Sequence, residues 1–193
     1  MEAFVALLRG INVGRGNRVP MADLRALLER CGYTHVSTLL NSGNAVFCTS
    51  AEAGASAHLT ISKRLANDLG VSVPVIVKSA SQFSVVVADN PHPDVAEPSR
   101  LLVALAQGAN ELVALAALEP LLTAREFLHV TPDAAYLLCP EGIAESKAAA
   151  ALLGKLGRGV TTRNWATVMK IAVALSRLPP NNSSKPTPLR GAA

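Results

Sequence analysis

A short segment near the N-terminus is rich in arginine and glycine, and together these residue types favour anion binding. The segment, residues 9–18, has the sequence RGINVGRGNR. Its glycines are Gly10, Gly14 and Gly16, and its arginines are Arg9, Arg15 and Arg18. Glycines let successive backbone N–H groups converge on an anion, and guanidinium groups match the geometry of phosphate oxygens. Asn12 adds an amide that can orient a ligand. We therefore predict that this segment binds phosphate groups.

The glycine spacing differs from that of two common nucleotide-binding motifs. GxxxGxG is neither the P-loop pattern nor the dinucleotide fingerprint, and no Gly-Lys-Ser/Thr ending follows that would hold a magnesium nucleotide. Enzymes of those two classes are therefore disfavoured. A second interpretation stays open, in which the glycines only permit a tight turn between a strand and a helix and the arginines are solvated.

Four polar or small residues follow at Asn41, Ser42, Gly43 and Asn44. They are typical of a tight hairpin turn, and they also offer amides that could hydrogen-bond a base or a ribose. Ser42 lacks the GxSxG surroundings of an activated serine, and His35 is separated from it by most of a strand. Nucleophilic chemistry at this serine is therefore disfavoured.

A third cluster, Thr161 to Trp165, gathers hydroxyl groups, an arginine and the sole tryptophan. Thr162, Arg163 and Asn164 could contact a phosphate, and Trp165 could stack on a base. The alternative is structural: a polar side chain caps the last helix, the tryptophan anchors it, and the arginine is a surface cation.

Apolar runs and helical periodicity place these clusters within a repeated order of elements. The first half is predicted to contain a strand, a helix, two hairpin strands, a helix and a strand, at residues 3–8, 20–31, 35–40, 45–48, 61–69 and 73–78. In a βαββαβ sheet, the loop after the first strand and the hairpin between the second and third strands lie at the same end. We therefore expect the 9–18 loop and the 41–44 hairpin to be neighbours.

The same order recurs further along the chain. Strands are predicted at 101–106, 126–130, 135–139 and 160–165, with two helices whose N-caps are Asn110 and Ser146 and a last helix over 168–175. The prediction is an α+β fold of duplicated ferredoxin-like βαββαβ subdomains with an extra C-terminal helix. The predicted boundaries are 1–88 for the first subdomain, 89–99 for a Pro-rich linker, 100–178 for the second, and 179–193 for a disordered tail.

Composition and charge narrow the function classes. Residues 146–193 contain eight Lys and Arg and no Asp or Glu, a distribution that favours an anionic partner but also fits a solvated basic surface. No membrane segment or signal peptide is predicted, so we expect a cytoplasmic protein. Three widely spaced cysteines and four isolated histidines predict no metal site, and no cofactor is predicted.

The three clusters also carry a family resemblance that spans most of the chain. The segments LLRGINVGRGNRVPM from Leu7, LRALLERCGYTHVSTLLNSGNAVF from Leu24 and TTRNWATVMK from Thr161 resemble the bacterial family called domain of unknown function 1697. The resemblance implies an α+β fold with ferredoxin-like subdomains and implies no established activity.

Together, these features predict a protein that binds a phosphorylated small molecule, a nucleotide or a nucleic-acid backbone through residues 9–18 and 41–44. Thr162 to Trp165 would contribute if the fold brings them near. Two alternatives stay open. One is a phosphoester-processing enzyme assisted by Ser42 or Asn44, and the other is a structural or regulatory protein whose motifs hold two subdomains together. Oligomeric state is not predicted.

Overall fold

A computed structural model describes residues 1–14 and 16–179 of the chain. The strands of the first half are β1 Glu2–Leu8, β2 Thr34–Leu39, β3 Asn44–Thr49 and β4 Val75–Ser79. Its helices are α1 Met21–Arg30, α2 Ala51–Ala55, α3 Ala57–Leu69 and α4 Ala80–Ala88. The predicted order of strands and helices is present, with α2 and α4 in addition.

The second half begins after a 3₁₀ turn at Pro98–Arg100. Its strands are β5 Leu101–Ala106, β6 Phe127–Val130, β7 Ala135–Leu138 and β8 Val160–Asn164. Its helices are α5 Asn110–Val113, a 3₁₀ helix Ala114–Leu121, α6 Lys147–Leu153 and α7 Trp165–Ser176. The predicted disordered tail lies outside the described residues, apart from Pro179.

Each half forms one four-stranded antiparallel sheet. The strand order is β2-β3-β1-β4 in the first sheet and β6-β7-β5-β8 in the second. In both, the first strand of the half is central and the last strand is an edge, which suits Pro74 immediately before β4 because an edge position tolerates a missing N–H. The α+β class is confirmed.

The central strands are buried on both faces because their whole sequences are apolar. Phe4, Ala6 and Leu8 of β1 face α1 and α3, whereas Val5 and Leu7 face the second half. β5 divides its side chains in the same way. The continuous apolar runs had predicted this two-sided burial.

A core shared by the two halves lies between the sheets. It combines Val5 and Leu7 of the first sheet with Val103 and Leu105 of the second. Helices α4 and α7 pack against each other in this layer, and α7 contacts β1 and β3 as well as β5 and β8. Tyr136 adds a polar link, because its hydroxyl donates to the carbonyl oxygen of Val86 at 2.6 Å. The predicted linker therefore joins two halves that share one apolar core.

No helix among residues 1–14 and 16–179 combines the length and the apolar character that crossing a bilayer requires.

Candidate anion-binding site between the two halves

Arg163 is a buried cation at the boundary between the halves. It lies on edge strand β8 opposite Val103, whose side chain belongs to the shared core, and it is 7% exposed. Its side chain therefore extends across the shared core towards the end of β1 and the β2–β3 hairpin. The interpretation of Arg163 as a surface cation does not match this burial.

The guanidinium of Arg163 donates all of its five N–H groups to neighbours. The acceptors are Asn44 Oδ1, Thr161 Oγ1 and the carbonyl oxygens of Leu8, Ser42 and Thr162. The bonds to Leu8 and Ser42 are both 2.9 Å long. Three of the acceptors belong to the first half, so this residue fastens the second half to the loop and hairpin of the first.

Asn44 completes this buried network from the hairpin side. It is fully buried, and its Nδ2 donates to the carbonyl oxygen of Leu39 and to Ser42 Oγ, each at 3.0 Å. Because its Oδ1 accepts from Arg163, both ends of the amide are engaged. Asn44 is thus held in one orientation beneath the hairpin and does not project into solvent.

Gly43 is required at this turn by both backbone conformation and space. Its φ is +74°, and a Cβ there would lie 2.7 Å from Leu8 Cβ and 2.8 Å from Ile11 Cδ1. Any other residue would be strained and would push against the end of β1. The hairpin therefore fits tightly against the start of the 9–18 loop.

Arg9 forms a second connection between the halves. Its guanidinium donates to the carbonyl oxygens at and beyond the end of α6, those of Leu153, Gly154, Gly157 and Val160. A cation at a helix C-terminus is favoured by the helix dipole. Burial lowers the pKa of Arg9, and the positive charge of Arg158 lowers it further.

Asn12 ties the loop to the hairpin, which confirms that the two segments are neighbours. Its Nδ2 donates to the carbonyl oxygens of Val19 at 2.9 Å and Asn41 at 2.8 Å, and its Oδ1 accepts from the N–H of Val19 at 2.9 Å. The amide is therefore used within the protein, and its φ of +56° belongs to the same folded loop.

The loop separates two pockets that contain different members of the predicted site. One pocket, of about 420 Å³, lies between the halves and includes Arg9, Gly10, Ser42, Thr162 and Arg163 in its lining. The other, of about 390 Å³, lies beside the start of α1 and includes Asn12, Gly14, Arg18 and Asn41. The structure therefore divides the predicted residues. Gly16 lies in neither lining.

The pocket between the halves is cationic. Two guanidinium groups line it, and its described lining contains no carboxylate. Within residues 1–14 and 16–179, neither Arg9 nor Arg163 forms an ion pair. Burial lowers the pKa of Arg163 to about 10, because loss of hydration disfavours the charged form. It nevertheless remains charged at neutral pH.

Two predicted site residues have structural positions away from this pocket. Asn164 is the N-cap of α7, and its side chain accepts from the N–H of Thr167 at 2.9 Å. Trp165 is 4% exposed and packs in the shared core, so its indole offers no face to a ligand. These placements match the structural alternative for both residues.

Several residues that line the pocket are apolar and carry no signal of function in the sequence. Leu152 and Leu153 of α6 and Val160 of β8 form the wall contributed by the second half, and Ile11 and Val13 lie on the loop itself. Ile11 and Val13 could be predicted to lie near the site because they belong to the glycine-rich segment. The α6 residues had no local signal, since only the packing of one half on the other brings them to Arg9.

An α+β protein with two four-stranded antiparallel sheets and a cationic pocket between its halves is the class that this structure defines. The family model described as "Protein of unknown function (DUF1697)" matches residues 1–136, and the chain belongs to this family, as its motifs predicted. The Thr161 to Trp165 segment lies beyond the matched residues.

A solved structure also resembles this chain. It is described as that of the conserved bacterial protein SP0830 from Streptococcus pneumoniae, with 26% sequence identity and a TM-score of 0.76. The similarity covers 92% of this chain and 99% of the other, so the two share their fold over almost the whole length. No curated protein matches the chain.

Proposed function

We propose that this protein binds a small phosphorylated ligand in the pocket between its halves. The observation that carries the proposal is the pair of guanidinium groups, Arg9 and Arg163, on the wall of a pocket whose described lining contains no acid. A buried cation without a counter-charge loses hydration and gains no ion pair. An anion in the pocket would offset this desolvation cost. A volume of about 420 Å³ suits a small molecule.

The roles of the pocket residues follow from their contacts. Arg9 and Arg163 supply positive charge and not hydrogen bonds, because carbonyl oxygens already accept most of their N–H groups. Hydrogen bonds to the ligand come from hydroxyl groups instead. Ser42 Oγ accepts from Asn44 Nδ2, so its own hydrogen remains for donation to an anion, and the half-buried Thr162 lines the same pocket.

Binding to inorganic phosphate, simple phosphate esters and tRNA tests this proposal, by isothermal titration calorimetry at low ionic strength. The expected result is a one-to-one complex with phosphate esters that weakens as salt is added. Ser42→Ala should weaken it about tenfold, because a hydrogen bond to a charged group is lost. Ser84→Ala is the matched control, since Ser84 is an exposed serine on α4 outside the pocket. Absence of binding by every ester, or binding to tRNA alone, would overturn the small-ligand proposal.

A structural role is the second candidate, and the hydrogen bonds of Arg163 favour it. All five N–H groups of this residue are used inside the protein, three of them across the boundary between the halves. On this candidate the three motifs only hold the halves together. The two candidates differ in the calorimetric result, because a purely structural network predicts no anion binding at any ionic strength. Phosphoester chemistry has less support, since the described pocket lining includes no histidine or carboxylate that could act as a base.

We also infer that the halves are duplicated ferredoxin-like units. The strand order is equivalent in the two sheets, and β4 pairs with β1 in the same register as β8 pairs with β5. Each edge strand runs directly into a helix whose N-cap, Ser79 or Asn164, accepts from the third helical N–H. The preceding residue is a buried cation in both halves, Lys78 and Arg163. Solving a close relative with greater identity between its halves would test the duplication.

A cytoplasmic location agrees with the chemistry of the cysteines. We propose this location because Cys31, Cys48 and Cys139 are all free thiols, as is usual in a reducing compartment. Fractionation of cells that produce the protein would test this inference.

A further inference from the structure

The pocket between the halves combines its two cations with a wall of aliphatic side chains. Leu8, Ile11, Leu152 and Val160 form this wall, but they are buried and offer a ligand almost no accessible area. Val13 and Leu153 also line the pocket, but they are exposed by 73% and 48%. These two side chains come from opposite halves. Exposed apolar groups beside a charged pocket offer a surface that an apolar part of a ligand could cover.

The described lining of this pocket contains no aromatic side chain. The sole tryptophan, Trp165, is buried in the shared core. Recognition of a nucleobase usually relies on an aromatic ring that stacks on it, and aliphatic walls supply no such partner. Aliphatic side chains instead favour a flexible hydrocarbon body through the area that it buries.

We propose that the ligand is a phosphate monoester with an aliphatic body. This inference rests on the proposed anion binding and narrows it. The phosphate lies near Arg9, Arg163 and the Ser42 hydroxyl, and the hydrocarbon covers the exposed side chains of Val13 and Leu153. Nucleotides carry the same phosphate with a planar base, so they bind more weakly.

A chain-length series separates the two parts of the ligand. Methyl, propyl and hexyl phosphate are titrated into the full-length protein by calorimetry, with adenosine monophosphate as the planar comparison. Each methylene that becomes buried should increase affinity about fourfold. Hexyl phosphate should therefore bind at least tenfold more tightly than methyl phosphate, and more tightly than adenosine monophosphate.

Variants at the mouth of the pocket locate the hydrocarbon. Val13→Ser and Leu153→Ser should each reduce the ratio of hexyl to methyl phosphate affinities severalfold, because they remove apolar area along the path of the chain. Leu156→Ser is the matched control: Leu156 is exposed, follows the same helix and lies outside the pocket lining, so the ratio should be retained. Thermal denaturation of each variant confirms that it is folded.

The possible results distinguish this inference from the proposal beneath it. Equal affinities for methyl and hexyl phosphate, or tighter binding of adenosine monophosphate, would overturn the aliphatic ligand and leave phosphate binding intact. A full chain-length effect that persists in both Val13→Ser and Leu153→Ser would overturn this placement of the hydrocarbon. If no phosphate ester binds, both proposals fall.

Discussion

Arg163 shows how one side chain can be charged, buried and fully hydrogen-bonded without an acidic partner. Its positive charge is stabilised by carbonyl and hydroxyl oxygens and by the amide of Asn44. Such an arrangement keeps the cation in place but does not neutralise it. The residue can therefore serve both the cohesion of the halves and the electrostatics of the pocket.

Replacing Arg163 tests the first of these roles. Arg163→Ala should lower the free energy of unfolding by about 3 kcal/mol, because buried acceptors lose their donors. Arg163→Lys should recover only part of this, since an ammonium group cannot reproduce five donors in a planar fork. Urea denaturation provides the measurement. Arg18→Ala, at an exposed arginine of the same predicted site, should change stability by less than about 0.5 kcal/mol. A similar small change at Arg163 would contradict the structural role.

Gly43 allows backbone strain to be separated from steric overlap. Gly43→Ala adds a methyl group that meets Leu8 and Ile11, at a positive φ. Gly70→Ala is a matched control, because Gly70 has a φ of +65° but nothing within 4 Å of the added Cβ. The control should cost about 1 kcal/mol from strain alone. Gly43→Ala should cost roughly 1–3 kcal/mol more by chemical denaturation, and equal losses would show that the hairpin can move away from β1.

At the scale of elements, the strands were predictable and some helices were not. The apolar runs of β1 and β5 identified the central strands because burial on both faces leaves no polar positions. Helix α4 was missed because its run of valines, Val85 to Val87, lacks helical periodicity and has high β propensity. Its signal was the capping box of Ser79 and Gln82, in which each side chain bonds to the backbone of the other.

The pocket was only partly predictable for a related reason. Topology within one half brought residues 9–18 next to residues 41–44, and local sequence was sufficient for that step. The approach of Arg163 to Asn44 and of Arg9 to α6 depends on how the halves pack, which no local pattern encodes. Trp165 illustrates the limit, since a tryptophan beside an arginine suits a ligand site and a core anchor equally well.

Helix capping corrects one sequence prediction and supports another. Asn110 was expected to cap a helix, but α5 has Ala109 at that position and no capping side chain, because Asn110 is already inside the helix. Asn164 does cap α7. Asn164→Ala should therefore lower the free energy of unfolding by about 1 kcal/mol, and Asn164→Asp should retain most of it. Thermal denaturation provides the measurement, and Asn110→Ala should have little effect in it. A larger loss at Asn110 than at Asn164 would contradict these assignments.

For the whole molecule, the shared core decides whether the halves can be separated. A fragment of residues 1–88 would expose the apolar face formed by Val5, Leu7, Val46 and Ile76, together with Phe83 and Val86 of α4. An exposed apolar face of this size favours aggregation.

We therefore expect residues 1–88 alone to aggregate or to lack a cooperative unfolding transition, as measured by circular dichroism during heating. Residues 99–179 should behave similarly, because α7 loses helix α4, against which it packs. Mixing or co-producing the two fragments should restore the transition, which serves as the control for each fragment. A sharp transition of the isolated first fragment would show that the halves are independent domains.

The acceptors of Arg163 also determine which positions can be substituted among relatives. Three of its five bonds end on main-chain oxygens, which every amino acid provides, so positions 8, 42 and 162 are free to vary without releasing the guanidinium. Only Asn44 and Thr161 contribute through their side chains. Across relatives, substitutions at position 163 should accordingly be accompanied by changes at positions 44 and 161. This co-variation would identify the boundary between the halves from a sequence alignment alone.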